Sequence, residues 1–155
     1  MLAAPSVLFV CLGNICRSPL AEAALRARAA GAGLDLLVDS AGTGPWHVGE
    51  PPDPRSQATA RAHGIDISNY RGRQVKPEDF RRFTHILALD HDNLAGLRRI
   101  APADATAEVG LLLDHVPGLA GQAVADPYYG DDDGFATTWA QVDAAARALV
   151  TRLTA

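Results

Sequence analysis

Cys11 and Arg17 mark the stretch of this chain whose residue types and spacing are best suited to chemistry. Between them lie five residues: Leu12, Gly13, Asn14, Ile15 and Cys16. A loop of this length can curl until successive backbone N–H groups point at an anion, and a helix that follows adds its positive end. Gly13 can adopt a positive φ at no steric cost, and Asn14 tolerates the left-handed region better than most residues. Residues 11–17 are therefore predicted to bind phosphate, and they are called the phosphate loop below.

The same surroundings would make Cys11 a nucleophile. Inward-pointing N–H groups, the helix N-terminus, the Arg17 guanidinium and the Ser18 hydroxyl would together favour its thiolate. A thiolate here can attack phosphorus in line to give a cysteinyl-phosphate, which divides hydrolysis into two easier steps. Arg17 would hold two phosphate oxygens through its planar fork. The chain lacks the Gly-Lys-Ser/Thr ending of nucleotide-binding loops, which argues against a nucleotide site. The thiolate chemistry requires no metal or cofactor, so we predict that the protein uses no metal and no cofactor.

Buried strands and a helix must hold the phosphate loop in place. Residues Ser6 to Cys11 form a continuous apolar run, which is typical of a central strand in a parallel sheet. Ser18-Pro19 has the residue types of a helix cap and first turn, so a helix over 20–30 is expected. The same patterns predict strands over 36–40, 84–90 and 108–113, and helices over 53–63, 92–100 and 135–153. This alternation predicts βαβ crossovers in a three-layer α/β fold, with ligands bound at the carboxyl ends of the strands.

Composition favours one globular domain over residues 1–155, because 48% of the residues are hydrophobic and 21% are charged. The net charge of −4 and the lack of a Lys/Arg cluster argue against nucleic acid as a partner. No apolar run approaches the length of about 18 residues that spans a bilayer, and the first residues lack the features of a secretory signal. A cytoplasmic protein without a membrane partner is expected. The two cysteines are too few for a disulfide framework or a structural zinc site.

Residues 7–23, VLFVCLGNICRSPLAEA, resemble the low-molecular-weight protein tyrosine phosphatases almost letter for letter. The likeness continues through Asp39-Ser-Ala-Gly, Trp46-His-Val-Gly, Pro52-Asp-Pro-Arg and Asp126-Pro-Tyr-Tyr-Gly, and so covers nearly the whole chain. The resemblance implies a flavodoxin-like fold with a four-stranded parallel sheet flanked by helices. It also implies cysteinyl-phosphate chemistry, without a cofactor, on proteins that carry phosphotyrosine.

Tyrosine is a poor leaving group because its phenol has a pKa of about 10, so a proton donor should assist its departure. Asp126 is the predicted donor, since it lies in a long loop and matches the acid of the family's Asp-Pro-Tyr-Tyr motif. Asp90, at the end of a predicted strand, is the second candidate. Asp39 and Asp53 are expected instead to bond local backbone groups and to cap a helix.

Three aromatic residues of the long loops are candidates for contact with the substrate ring. By resemblance Trp46 and Tyr128 line the slot that admits the ring, and aromatic walls suit a flat phenyl group. Tyr129 could be a wall, a surface residue or a phosphorylation site, and the sequence leaves these alternatives open. Asn14 and Ser40 resemble the family's loop-supporting network. The chain departs from the family at Tyr70, where many members carry histidine, so this part of the network must be satisfied differently.

Cys16 is a candidate redox residue, because a reversible disulfide with Cys11 would protect the nucleophile from over-oxidation. Its alternative role is that of a small apolar filler. An arsenate reductase of the same fold is a rival function, although the chain has no cysteine beyond Cys16 and carries the complete segment that begins at Asp126. A phosphocarrier module is another, although Arg17 and Asp126 argue against it. Tyrosine-phosphorylated proteins are the expected partners of a monomer, with self-association left open.

Overall fold

A four-stranded parallel sheet lies at the centre of the computed structural model, which describes residues 4–128 and 132–154. Its strands are β1 Ser6–Cys11, β2 Leu37–Gly42, β3 His85–Ala88 and β4 Glu108–Leu111, in the order β2-β1-β3-β4. All three strand pairs are parallel, and Cys11 is paired with Gly42 at the end of β2. The parallel α/β sheet expected from the sequence is confirmed.

Helices cover both faces of the sheet. They are α1 Arg17–Gly31, α2 Pro54–Ala62, α3 Asp79–Arg82, α4 His91–Ile100 and α5 Asp132–Thr154, with a 3₁₀ turn over Leu112–His115. Along β1, Val7 and Phe9 face the α1 and α5 side, whereas Leu8 and Val10 face the α4 side. Successive strand residues point to opposite faces, so the continuous apolar run of β1 fills both cores at once.

Several predicted boundaries differ from the structure. Helix α1 begins at Arg17, and Cys16 occupies the N-cap position without a side-chain cap bond. The prediction that Ser18 caps this helix is therefore wrong, because its hydroxyl is engaged at Cys11 instead. The fourth strand ends at Leu111 rather than at residue 113, where the chain turns into the 3₁₀ segment. Helix α3 was not predicted, since four residues carry too little periodicity to be recognised.

The strand order places the phosphate loop at a switch point. From β1 the chain passes through α1 to β2 on one side, and the next strand, β3, lies on the other side of β1. The two connections diverge at the carboxyl end of β1, where such sheets bind their ligands. Residues 12–16 leave β1 at this crevice. Within 4–128 and 132–154, no helix has the length and apolar character needed to cross a membrane.

Candidate active site

The phosphate loop curls around the sulfur of Cys11. Its left-handed residue is Asn14, with a φ of 60°, rather than Gly13. This conformation brings the backbone N–H of Asn14 to 3.3 Å from Cys11 Sγ. A side chain at Gly13 would displace His47, because a Cβ there would lie 2.9 Å from the His47 ring. Cys11 is 3% exposed, and its sulfur has the Asn14 N–H and the Ser18 hydroxyl as hydrogen-bond partners.

The side chain of Asn14 fixes the direction of the bonds behind the loop. Its Oδ1 accepts from the backbone N–H of Arg73 at 3.0 Å, so its Nδ2 is the atom that donates. Nδ2 donates to Ser18 Oγ at 2.8 Å and to Ser40 Oγ at 3.0 Å. Each hydroxyl accepts from Asn14 and keeps its own hydrogen for another partner. Ser18 Oγ lies 3.0 Å from Cys11 Sγ, where its hydrogen can be donated to a thiolate.

The other end of this network is Glu22 on α1, which is 5% exposed. Ser40 donates to Glu22 Oε1 at 2.7 Å, and Arg26 Nε donates to Glu22 Oε2 at 2.9 Å. Burial raises the pKa of Glu22 above its ordinary value, while the bonds from Ser40 and Arg26 act in the opposite direction. A chain of hydrogen bonds through Ser40, Asn14 and Ser18 therefore joins this ion pair to the sulfur of Cys11.

Tyr70, the departure from the family pattern, cannot act as a counter-ion. Burial raises its pKa to about 12, and the nearby charge of Glu22 adds to the rise, so the side chain is a neutral phenol. Arg26 supplies the positive charge instead, one turn beyond Glu22 on the same helix. The network is thus completed by an i,i+4 pair within α1.

Arg73 braces the loop from the side of α3. Its guanidinium bonds Asp79 twice, at 3.0 and 3.1 Å, and Asp39 Oδ2 at 3.1 Å. Asp39 also accepts from the backbone N–H of Ser40 at 2.8 Å, which confirms its predicted local bond. The backbone N–H that Arg73 offers to Asn14 is therefore anchored by two carboxylates.

Arg17 is 3% exposed and is held in one orientation. Its Nη1 donates to Asp90 Oδ2 at 2.8 Å and to the Val124 carbonyl at 3.2 Å. Asp90 is itself fixed at the start of α4, since its Oδ1 accepts from the N–H of Asn93 at 2.7 Å. Asp90 thus bonds the guanidinium and caps a helix, and these bonds favour a supporting role over proton donation.

Asp126 faces Arg17 from the loop over residues 124–128, called the Asp126 loop below. Its Oδ2 lies 3.5 Å from Arg17 Nη2, and its Oδ1 accepts from the N–H of Tyr128 at 3.0 Å. The side chain is 48% exposed. The loop is anchored to α5, because Gln141 accepts from the N–H of Ala125 and Thr138 donates to the Ala125 carbonyl, each at 3.0 Å.

A pocket of about 250 Å³ opens at this point. It is lined by Cys11, Leu12, Gly13, Ile15, Cys16, Arg17, Trp46, His47, Asp126 and Tyr128. Asn14, Ser18 and Ser40 lie behind it as support, and Tyr129 falls outside the described residues. Trp46 is 67% exposed and packs over Gly44, where a Cβ would overlap its ring. The pocket therefore joins the buried loop around Cys11 to an exposed aromatic side chain at its entrance.

Cys16 lies in the same loop but in a different environment. Burial raises its pKa to about 12, and the negative charge of Asp53 adds to the rise. A neutral thiol is therefore its form near pH 7. In the part of the chain that the structure describes, no three side chains of metal-ligating types converge on one point.

Sequence reasoning missed four residues that touch or support this site: Glu22, Arg73, His47 and Arg55. Glu22 carried no local signal, because a helical glutamate is usually exposed and is buried only where folding provides a partner. His47 lines the pocket, and its Nδ1 lies 2.6 Å from Glu50 Oε2. Arg73 and Arg55 act through partners that are distant in sequence, so no local pattern predicts a role for either arginine.

The family of the chain follows from its similarity to known proteins. The family model described as low molecular weight phosphotyrosine protein phosphatase matches residues 6–155. A low molecular weight protein-tyrosine-phosphatase of Streptomyces coelicolor is 48% identical over 149 residues, which cover 93% of this chain and 90% of that protein. The crystal structure of YfkJ from Bacillus subtilis is 39% identical with a TM-score of 0.90, covering 99% of this chain and 96% of that one. A Drosophila arginine phosphatase is 33% identical, also with a TM-score of 0.90, covering 96% and 98% respectively. The chain therefore belongs to the low molecular weight phosphotyrosine protein phosphatase family.

Proposed function

We propose that this protein hydrolyses phosphotyrosine in proteins, and small aryl phosphates, through a cysteinyl-phosphate intermediate. The observation that carries the proposal is the convergence of Cys11, Arg17 and Asp126 on one pocket whose entrance is formed by Trp46 and Tyr128. A buried anion cradle suits the phosphoryl group, and an aromatic entrance suits the ring that leaves.

In the first step, the thiolate of Cys11 attacks phosphorus while the bond from phosphorus to the phenol oxygen breaks. Arg17 and the N–H groups of the phosphate loop stabilise the charge on the equatorial oxygens. Protonated Asp126 donates its proton to the departing oxygen, so tyrosine leaves as a neutral phenol. The products are cysteinyl-phosphate, the aspartate carboxylate and the dephosphorylated protein.

In the second step, water attacks the cysteinyl-phosphate and the phosphorus–sulfur bond breaks. The carboxylate of Asp126 accepts a proton from the attacking water, as microscopic reversibility requires. Ser18 donates to the sulfur of Cys11 as it departs as a thiolate, which the direction of the Asn14 bonds supports. Inorganic phosphate is released and both groups return to their starting protonation states. Since Cys11 must remain a free thiol, a reducing compartment suits this chemistry, and we propose the cytoplasm.

The proposal is tested by the release of p-nitrophenol from its phosphate ester in the presence of a metal chelator. We expect turnover by the wild type, none by Cys11→Ser, and a loss of about 10²- to 10³-fold in kcat/KM for Asp126→Ala. Asp35→Ala is a matched control, because Asp35 is exposed and precedes β2 at the opposite end of the sheet.

A second assay compares substrates. A phosphotyrosine peptide and a phosphoarginine peptide should be offered to the same enzyme, because one similar structure is that of an arginine phosphatase. We expect faster release of phosphate from the tyrosine peptide. Faster release from the phosphoarginine peptide would make phosphoarginine, rather than phosphotyrosine, the assigned substrate. Absence of turnover with every phosphate ester would favour the arsenate reductase or the phosphocarrier.

A further inference from the structure

The first turn of α2 lies between the two loops that form the pocket. On one side it is bonded to the phosphate loop, because the N–H of Asp53 donates to the Ile15 carbonyl at 2.9 Å. The hydroxyl of Ser56 also donates to the Cys16 carbonyl, at 3.4 Å. This turn is therefore bonded directly to the loop that holds the nucleophile.

On its other side the same turn reaches the Asp126 loop through Arg55. Nη2 of Arg55 donates to the carbonyl of Tyr128 at 2.9 Å. Its guanidinium carbon lies 5.7 Å from the centre of the Tyr128 ring and 4.9 Å from that of Phe135. Tyr128 is also the residue whose N–H bonds the carboxylate of Asp126. Arg55 thus holds the same short turn that orients Asp126.

Arg55 can hold the Asp126 loop in place because its own guanidinium is fixed by Asp53. Asp53 Oδ1 accepts from the backbone N–H of Arg55 at 2.8 Å and from Nε at 3.1 Å, while Oδ2 accepts from Nη2 at 3.1 Å. Burial would raise the pKa of Asp53, but the bonds from Arg55 lower it below its ordinary value. The pair is therefore ionised near neutral pH, and the planar fork of Arg55 has one preferred orientation.

We propose that Arg55 is a positioning residue that sets the placement of Asp126 relative to the phosphate loop. The inference rests on the proposed function, in which Asp126 donates a proton to the leaving oxygen. The side chain of Asp126 is half exposed, so packing alone does not hold it. Bonds to other residues of its loop are needed to keep the carboxyl at the right distance from the leaving oxygen. Through Arg55, the loop that carries the acid is tied to the turn that contacts the loop carrying the nucleophile.

The test uses two esters that differ in their need for an acid. Phenyl phosphate releases an oxygen as basic as that of tyrosine, whereas 2,4-dinitrophenyl phosphate releases a stable anion that needs no proton. For Arg55→Met we expect kcat/KM to fall about tenfold or more with phenyl phosphate and less than about twofold with the dinitrophenyl ester. Arg55→Lys keeps the charge but lacks the planar fork. Its kcat/KM with phenyl phosphate should therefore lie between those of the wild type and Arg55→Met.

Two controls separate positioning from damage to the fold or to the phosphate loop. Arg61→Met removes an exposed arginine from the same helix and should leave both esters at wild-type rates. Alkylation of Cys11 by iodoacetate should proceed at the wild-type rate in Arg55→Met. Equal losses with both esters, or no loss with either, in the Met and Lys variants would overturn the role of Arg55. No turnover of either ester by the wild type would instead overturn the proposed function, and with it this role.

Discussion

Cys11, Asn14 and Arg17 are each 3 to 4% exposed, whereas the side chain of Asp126, on the other side of the same pocket, is 48% exposed. The phosphate loop is bonded to Ser18, Ser40, Arg73 and Asp90, which lie in or beside α1, β2, α3 and α4. The Asp126 loop is held by two side chains of α5, by Arg55 and by the bond from Arg17 to the Val124 carbonyl. Groups that stabilise charge act best when they are fixed before the reaction begins. A loop that must admit and release a substrate needs fewer bonds. The two loops therefore divide the proposed catalytic work between a rigid part and an adaptable part.

Asn14 offers the most direct way to break the rigid part. Asn14→Ala removes three side-chain bonds and leaves a φ of 60° to a residue that tolerates the left-handed region less well than asparagine does. We expect kcat/KM for p-nitrophenyl phosphate to fall about a hundredfold. Asn14→Gly removes the same bonds but tolerates the backbone, so its loss should be smaller, about tenfold. Equal effects of the two variants would mean that the backbone conformation contributes little.

Glu22 tests the far end of the hydrogen-bond network. The side chain of glutamine has one acceptor oxygen and one donor NH₂ group. In Glu22→Gln, the hydroxyl of Ser40 or the guanidinium of Arg26 would therefore face an N–H group instead of an acceptor. We expect kcat/KM to fall about fivefold to tenfold, with alkylation of Cys11 slowed as well. An unchanged alkylation rate would show that the sulfur does not sense this ion pair.

The same substitution predicts a dependence of stability on pH. Because folding raises the pKa of Glu22, the folded chain holds this proton more tightly than the unfolded chain does. The contribution of Glu22 to stability is thus greatest at low pH and falls as pH rises from about 4 through the raised pKa. Denaturant unfolding at several pH values should show Glu22→Gln gaining relative to the wild type as pH rises, and a constant difference would contradict this.

Gln141 probes the adaptable part. Gln141→Leu removes the acceptor for the N–H of Ala125 but leaves the bonds made by Thr138 and Arg55. We expect a loss of only about twofold to threefold in kcat/KM with phenyl phosphate. A loss as large as that of Asn14→Ala would mean that the Asp126 loop is as rigid in function as the phosphate loop.

Cys16 should have the smallest effect on activity in reducing buffer, where Cys16→Ala is expected to behave much like the wild type. The difference should appear after oxidation by hydrogen peroxide. Peroxide converts the Cys11 thiolate to a sulfenic acid, and the thiol of Cys16 can displace its hydroxyl as water to form a disulfide. A thiol reductant should then restore the wild type more completely than the variant. Equal recovery would leave Cys16 as an apolar filler of the loop.

Local patterns predicted the rigid part far better than the adaptable one. The apolar run of β1, the loop spacing and the helix that follows are contiguous in sequence, and all are present in the structure, although α1 begins at Arg17 rather than at the predicted residue 20. The role of Ser18 was misread, because residue type indicates a cap but not the competing bond to Cys11. Arg17 meets Asp90, and Arg55 meets Tyr128, each across 73 positions of the chain. Such pairs depend on the folded topology, so no local periodicity could reveal them.

The packing of Trp46 on Gly44 bears on how this enzyme's selectivity could diverge. The largest exposed aromatic surface at the entrance rests on a position without a side chain, and that position does not line the pocket. A single added methyl group at Gly44 would overlap the indole and displace it. The backbone N–H of Gly44 also donates to the Leu12 carbonyl of the phosphate loop at 3.0 Å. Gly44 therefore links the aromatic entrance to the phosphate loop, and a substitution there would act on both.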